Sequence, residues 1–153
     1  MYMDVYSLSP SSALSISIVM AATFRQLFPG KPTFTENDIP DQSGRVFLVT
    51  GGNAGLGYEL VKILYSKGGT VYMASRSKSK VEDAIKSITS GRTTETPGKI
   101  NALIIDLADL TTIKPAVEQF VSQESKLDVL WNNAGLGLAP DDRKTKQGYE
   151  LRK

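Results

Sequence analysis

Two short stretches carry residue types that could do chemistry. One is Tyr149-Glu150-Leu151-Arg152-Lys153, in which a tyrosine and a lysine stand four positions apart. On a helix such a pair shares one face. A lysine cation there lowers a tyrosine's pKa by favouring the phenolate, and a tuned tyrosine can pass a proton to a carbonyl oxygen. The other stretch is Thr50-Gly51-Gly52-Asn53-Ala54-Gly55-Leu56-Gly57, directly after the apolar run Val46-Phe47-Leu48-Val49. Gly51 allows a tight turn. The N–H groups of Asn53 to Leu56 can reach a pyrophosphate at a helix N-terminus, where the macrodipole also favours an anion. Gly55 permits close backbone approach, and Gly57 lets the helix pack on the strand.

A glycine pattern informs only between a strand and a helix. Residues 46–50 form a short, wholly apolar run, as expected of a strand buried on both faces. A helix is predicted from about residue 55 to 67, with Leu60, Val61 and Leu64 on one face and Gly68 as its stop. Residues 70–75 predict a second strand. Ser79 and Glu82 read as a capping box that opens a second helix with Val81, Ala84, Ile85 and Ile88 inward. Residues 100–106 predict a third strand. Leu110, Ile113, Val117, Phe120 and Val121 recur at helical spacing, with Pro115 in the first turn, where proline is tolerated. Residues 127–133 predict a fourth strand, and the tail from Gly135 reads as polar and irregular. Strands alternating with helices imply a parallel sheet with right-handed crossovers. The fold class is therefore α/β, a partial, doubly wound Rossmann sheet of four strands and three crossover helices.

The form of the dinucleotide is read at the end of the second strand. A site for NAD places a carboxylate there for the ribose 2′-hydroxyl, about 20 residues past the glycines. Arg76 stands 19 residues past Gly57, in the stretch Ser75-Arg76-Ser77-Lys78-Ser79-Lys80, and no acid occurs before Glu82. The planar guanidinium of Arg76 suits a 2′-phosphate, which makes NADP the expected cofactor.

Further motifs fall in register. The glycines read Thr-Gly-x-x-x-Gly-x-Gly on Thr50, Gly51, Gly55 and Gly57. Asp106-Leu107 follows the third strand, and Asn132-Asn133-Ala134-Gly135 ends the fourth. Together these resemble the short-chain dehydrogenase/reductase family over residues 44–153. The stretches FPGKPTFTENDIP, DLADL and QGYEL are most similar to its retinol-dehydrogenase-like members, including fungal ones. The resemblance implies hydride transfer between NADP(H) and a carbonyl or alcohol. It implies cofactor contacts from Gly51, Asn53, Gly55, Leu56, Gly57, Arg76, Asp106, Leu107, Asn133, Ala134 and Gly135, with Asp106 and Leu107 at the adenine.

The resemblance also places the family's catalytic tyrosine and lysine on a helix after a fifth strand. There tyrosine transfers the proton, lysine lowers its pKa and holds the nicotinamide ribose, and a serine on the strand steadies the substrate oxygen. Tyr149 follows Gly135 by only 14 residues, with no serine and no strand-like run between. It matches instead the family's Gly-Tyr-Glu element, where the chain enters the next helix. No catalytic residue is assigned. The chain is expected to be the cofactor-binding half of the enzyme, truncated before the catalytic half and inactive alone. Its fourth strand is then an exposed apolar edge that could associate with another chain. The alternative reading is a non-catalytic nucleotide-binding or protein-association module. A third possibility is an incomplete gene product that does not fold stably.

Composition removes other classes. The chain lacks cysteine and histidine, which excludes disulfides and Ser-His or Cys-His catalysis within it and leaves no expected metal site. A net charge of +2 is too small to argue for nucleic acid. No apolar run reaches the ~18 residues of a membrane span. The run at residues 13–22 is short, interrupted by Ser15 and Ser17, and lacks the basic flank of a secretory signal. A cytoplasmic location is expected. Residues 1–22 read as a disordered leader, with Met20 a possible start. Residues 23–44 read as an arm that packs through Phe24, Leu27, Phe28 and Phe34, and residues 45–153 as the incomplete NADP-binding Rossmann half-domain.

Overall fold

The computed structural model describes residues 28, 31–91, 97–136 and 143–151. The chain divides into two units, Met1–Thr35 and Glu36–Lys153. In the first, Phe28 and Phe34 are exposed, while Phe24 and Leu27 lie outside the described residues, as does the whole 1–22 stretch. Residues 36–44, grouped with the arm by composition, belong to the second unit. There Gln42 is buried and its N–H donates to the Lys67 carbonyl at 2.7 Å.

In the second unit, β1 (Val46–Thr50), β2 (Thr70–Ser75), β3 (Lys99–Ile104) and β4 (Val129–Trp131) form one parallel sheet in the order β3-β2-β1-β4. The helices α1 (Gly55–Ser66), α2 (Lys78–Ser90) and α3 (Ile113–Gln123) connect them. A 3-10 turn, Leu110–Thr112, leads into α3. Successive residues of a strand point to opposite faces, and both faces are covered. Phe47, Val49, Val71 and Met73 pack with Val61 and Leu64 of α1 and Val81 and Ile88 of α2. Val46, Tyr72 and Ala74 pack on the other face with Ala116 and Phe120 of α3. The ring of Tyr72 meets that of Phe120 edge-on at 4.8 Å between centroids. Its hydroxyl donates to Glu124 Oε1 at 3.0 Å, so a tyrosine can be buried here without stranding its polar atom.

The sheet is thus doubly wound, as the alternation of elements predicts. β1 and β2 have the predicted bounds: Gly51 ends the first run, and Gly68-Gly69 precede the second, which polar Arg76 and Ser77 close. β4 is shorter than predicted. It pairs only through Phe47↔Val129, Leu48↔Leu130 and Val49↔Trp131. Among the described residues no strand lies on its other side, and Leu130 and Trp131 are 50% and 43% exposed.

Two local expectations are corrected. The capping box on Ser79 and Glu82 is not formed: α2 begins two residues earlier, with Ser77 as its N-cap and no side-chain cap bond. Glu82 instead pairs with Lys78 at 3.8 Å along the helix. In α3, Phe120 is buried together with Ala116, but Val117 and Val121 are exposed. One side of α3 meets the sheet, and no described element covers the other. Among the described residues, no helix is long and apolar enough to cross a membrane.

Candidate functional site

The site is built where β1 stops. Gly51 has φ +68°, a conformation that costs an L side chain but not glycine. Its N–H donates to the Ala74 carbonyl at 2.8 Å, tying the turn to β2. A Cβ added at Gly51 would meet Ala134 Cα at 3.1 Å. Gly55 also has positive φ, but a Cβ there would meet nothing within 4 Å. Its glycine therefore serves backbone conformation in this fold. Gly57 is the tighter position: a Cβ would lie 2.5 Å from both the Gly51 carbonyl oxygen and Asn133 Nδ2. Gly52, which the motif reading passes over, is buried, and a Cβ would come 2.9 Å from Met73.

No side chain caps the N-terminus of α1. The first-turn N–H groups of any helix lack intrahelical acceptors, and an anion is their natural partner.

The ends of β1 and β4 are stitched together. Asn133 Nδ2 donates to the Thr50 carbonyl at 3.0 Å. The Thr50 hydroxyl donates to the Trp131 carbonyl at 3.2 Å and accepts from the Ala134 N–H at 3.0 Å. Beyond β3, Asp106 Oδ1 accepts from the Ala108 N–H at 2.9 Å, which fixes the carboxylate at the strand end. The Asp106 N–H donates to Thr112 Oγ1 at 2.9 Å.

These strand ends border one cavity of about 640 Å³. Gly51, Arg76, Asp106, Leu107, Ala134 and Gly135 line it, together with Thr50 and Ser75. Asn53, Gly55, Leu56, Gly57 and Asn133 do not. Gly57 and Asn133 lie behind the turn and support it, and Gly55 and Leu56 are exposed in the first turn of α1, Leu56 at 85%.

The remaining wall was not foreseen. Arg143, Thr145, Glu150 and Leu151 line the same cavity. Residues 143–151 of the tail read as irregular form a turn with an antiparallel bridge between Lys144 and Glu150 and with Gly148 at φ +85°. The turn is fastened to Asp109, which is 6% exposed. Lys146 Nζ and Gln147 Nε2 donate to its carboxylate, as do the N–H and hydroxyl of Thr111. The Lys146 N–H donates to the Ala108 carbonyl at 2.9 Å. The hydrogen bond from Lys146 is the largest influence holding the Asp109 carboxyl well below the usual carboxylate range, followed by those from Thr111 and Gln147. The same contact raises the pKa of Lys146. The Lys-Thr-Lys-Gln-Gly stretch signals a turn, but nothing in its spacing points to a carboxylate 37 positions earlier.

Tyr149 is 63% exposed in this turn and does not line the cavity. Its N–H donates to Thr145 Oγ1 at 3.0 Å. The described residues around it are not helical, and Lys153 lies outside them. Among the described residues, no group of three or more acidic, histidine or cysteine side chains could hold a metal.

A parallel, doubly wound sheet with a glycine turn after its first strand and a cavity at the strand ends defines a dinucleotide-binding protein. Residues 45–150 match the short chain dehydrogenase family, and the chain belongs to it. It is 54% identical over 127 residues to a short-chain dehydrogenase/reductase of Phomopsis amygdali, covering 82% of this chain and 37% of that protein. It is 48% identical to the short-chain dehydrogenase/reductase iacJ of Pestalotiopsis fici, covering 83% of this chain and 40% of that one. The chain thus spans about two fifths of the length of these curated relatives. Among solved structures, it is similar to Pseudomonas aeruginosa RhlG in complex with NADP (26% identity, TM-score 0.55, 63% of this chain and 36% of that one). A metagenomic short-chain oxidoreductase, also in complex with NADP, matches at 28% identity and TM-score 0.55 (63% of this chain and 41% of that one). The family binds nicotinamide cofactors.

Proposed function

We propose that residues 45–151 are the NADP(H)-binding part of a short-chain dehydrogenase/reductase that moves hydride between NADP(H) and a carbonyl or alcohol. The observation that carries this reading is the single cavity bordered by the Gly51 turn, Arg76 and the Asp106-Leu107 pair. The first turn of α1 offers N–H groups to the pyrophosphate. Asp106 offers an acceptor at the adenine end. At the end of β2 an arginine stands where an NAD-preferring site would hold a carboxylate, and the two NADP-bound structural relatives support the phosphorylated form.

The cofactor supplies the hydride. The described residues bind and orient it. Tyr149, the tyrosine nearest in motif, lies outside the cavity. The chain alone is therefore expected to bind cofactor without turnover.

The test is titration of the chain with NADPH and NADH, read on its single tryptophan, Trp131, at the end of β4. NADPH should bind more tightly. A hydrogen bond to a charged group is worth about 1.5–3 kcal/mol. Arg76→Asp should therefore weaken NADPH about 10- to 100-fold and favour NADH. Equal affinities in the parent chain, unmoved by Arg76→Asp, would sink the NADP assignment.

A second reading is favoured by exposed Leu130 and Trp131 of β4, whose outer edge no strand pairs among the described residues. The chain would then act as a protein-association module. Self-association or partner capture without any affinity for nicotinamide nucleotides would select it.

A further inference from the structure

Asp109 does not line the cavity, yet it joins two segments that do. One is the loop after β3, which brings Asp106, Leu107 and Ala108 to the cavity, and the other is the turn of residues 143–151. Among the described residues Asp109 is the only charged side chain that is buried. Burying a carboxylate is costly unless donors surround it, and here they arrive from both segments. Thr111 donates from its own loop through its N–H and its hydroxyl, and Lys146 Nζ and Gln147 Nε2 donate from the turn. Two further bonds follow the same path. The Lys146 N–H donates to the Ala108 carbonyl at 2.9 Å, and the Leu110 N–H donates to Gln147 Oε1 at 3.1 Å.

Neither apolar cluster of the sheet includes a residue of 106–112 or 143–151, and Leu107 and Leu110 are exposed. Polar contacts therefore set the shape of the loop. Within it the Asp109 N–H donates to the Asp106 carbonyl, and the Ala108 N–H donates to Asp106 Oδ1, each at 2.9 Å. A shift of Asp109 is thus carried to the Asp106 carboxylate, three residues away.

We propose that Asp109 is a positioning residue for the adenine end of the cofactor: by holding Lys146 and Gln147 it fixes the loop that presents Asp106, Leu107 and Ala108 to the cavity. This deepens the NADP(H) reading and rests on it. The turn of residues 143–151 then acts as a clamp on the adenine loop, and Asp109 is its fastening point.

Titrations of the full chain with 5′-AMP and with inorganic pyrophosphate test this role. The first probe carries adenine, and the second reports only on the first turn of α1. Asp109→Asn and Lys146→Met should each weaken 5′-AMP about tenfold and leave pyrophosphate within about twofold. The double variant should lose no more than the worse single one, because both changes open one fastening. Lys146→Arg keeps a cationic donor and should retain most of the 5′-AMP affinity. The Lys146 side chain is exposed and outside both apolar clusters, so Lys146→Met keeps the test open even if Asp109→Asn unfolds the chain. Unchanged 5′-AMP affinity in the folded variants, or an equal loss of both probes, overturns the role of Asp109 and leaves the NADP(H) reading standing. A parent chain that does not bind 5′-AMP removes the nucleotide reading and this inference with it.

Discussion

The side-chain amide of Asn133 donates to the carbonyl oxygen of Thr50 at 3.0 Å, so the residues just past β4 hold the last residue of β1. Gly57 packs against the same amide: a single added methyl would lie 2.5 Å from Nδ2 and equally close to the Gly51 carbonyl. Backbone cannot retreat as a flexible side chain can. Gly57→Ala should therefore destabilise the chain by about 1–3 kcal/mol and shift the Gly51 turn. Calorimetry gives the first effect and NADPH titration the second. A variant with the parent's melting temperature and affinity would show that the turn is looser than this packing implies.

Asp109 makes stability depend on pH at both ends. Its folded pKa lies below the unfolded value of ~3.9, chiefly because Lys146 donates to it. Its contribution is present above that unfolded value and is lost as pH falls through the acid range. Lys146 works in the opposite sense. Its pKa is raised by the same pair, so its contribution is complete below ~10.4 and is lost as pH rises beyond. Asp109→Asn should lower the melting temperature at neutral pH and flatten both limbs. An unchanged pH profile in that variant would place the sensitivity elsewhere.

Tyr72 joins β2 to the end of α3. Its ring is fully buried, and its hydroxyl reaches Gln123 and Glu124 at 3.2 and 3.0 Å. Burial is the main cause raising its pKa, and Glu124 adds to it. Tyr72→Phe keeps the edge-on contact with Phe120 and removes only the hydroxyl. It should cost about 1 kcal/mol in denaturant unfolding with no change in slope. A neutral result would mean that water serves Glu124 equally well.

The open side of β4 should govern association. Leu130 is half exposed on a strand with free backbone pairing groups on that side among the described residues. Leu130→Lys places a charge on the edge, a device that natural sheets use against strand addition. Sedimentation velocity should show less concentration-dependent association for the variant than for the parent. Identical profiles would assign any association to another surface, such as exposed Val117 and Val121 on α3.

The parts legible in the sequence were those with local signals. Val46–Thr50 and Thr70–Ser75 are apolar runs closed by glycine or polar residues, and helical periodicity placed Val61, Leu64, Val81, Ala84 and Ile88 correctly inward. Half of the cavity follows, because Gly51, Arg76, Asp106 and Ala134 stand at strand ends that a parallel sheet gathers on one edge. The other half depends on pairings with no local signature. Arg143 enters the site because Lys146 and Gln147 find Asp109, and the turn between them carries no hydrophobic period to announce it. The exposure of Val117 and Val121 was hidden for a related reason: spacing gives a helix its apolar stripes but does not say which of them finds a neighbour.

The strand order has a consequence for the sequence of assembly. β1 meets β2 across one crossover, but its Val46 N–H waits for Asp128, 82 positions along the chain. Loop closure over that span follows the shorter closures. The Gly51 turn can thus gain its tether to Ala74 early, while its floor of Asn133 and Ala134 arrives last. On a chain still being synthesised, the nucleotide loop would be shaped before it was supported, and tight binding of a dinucleotide would mark the moment at which β4 docks.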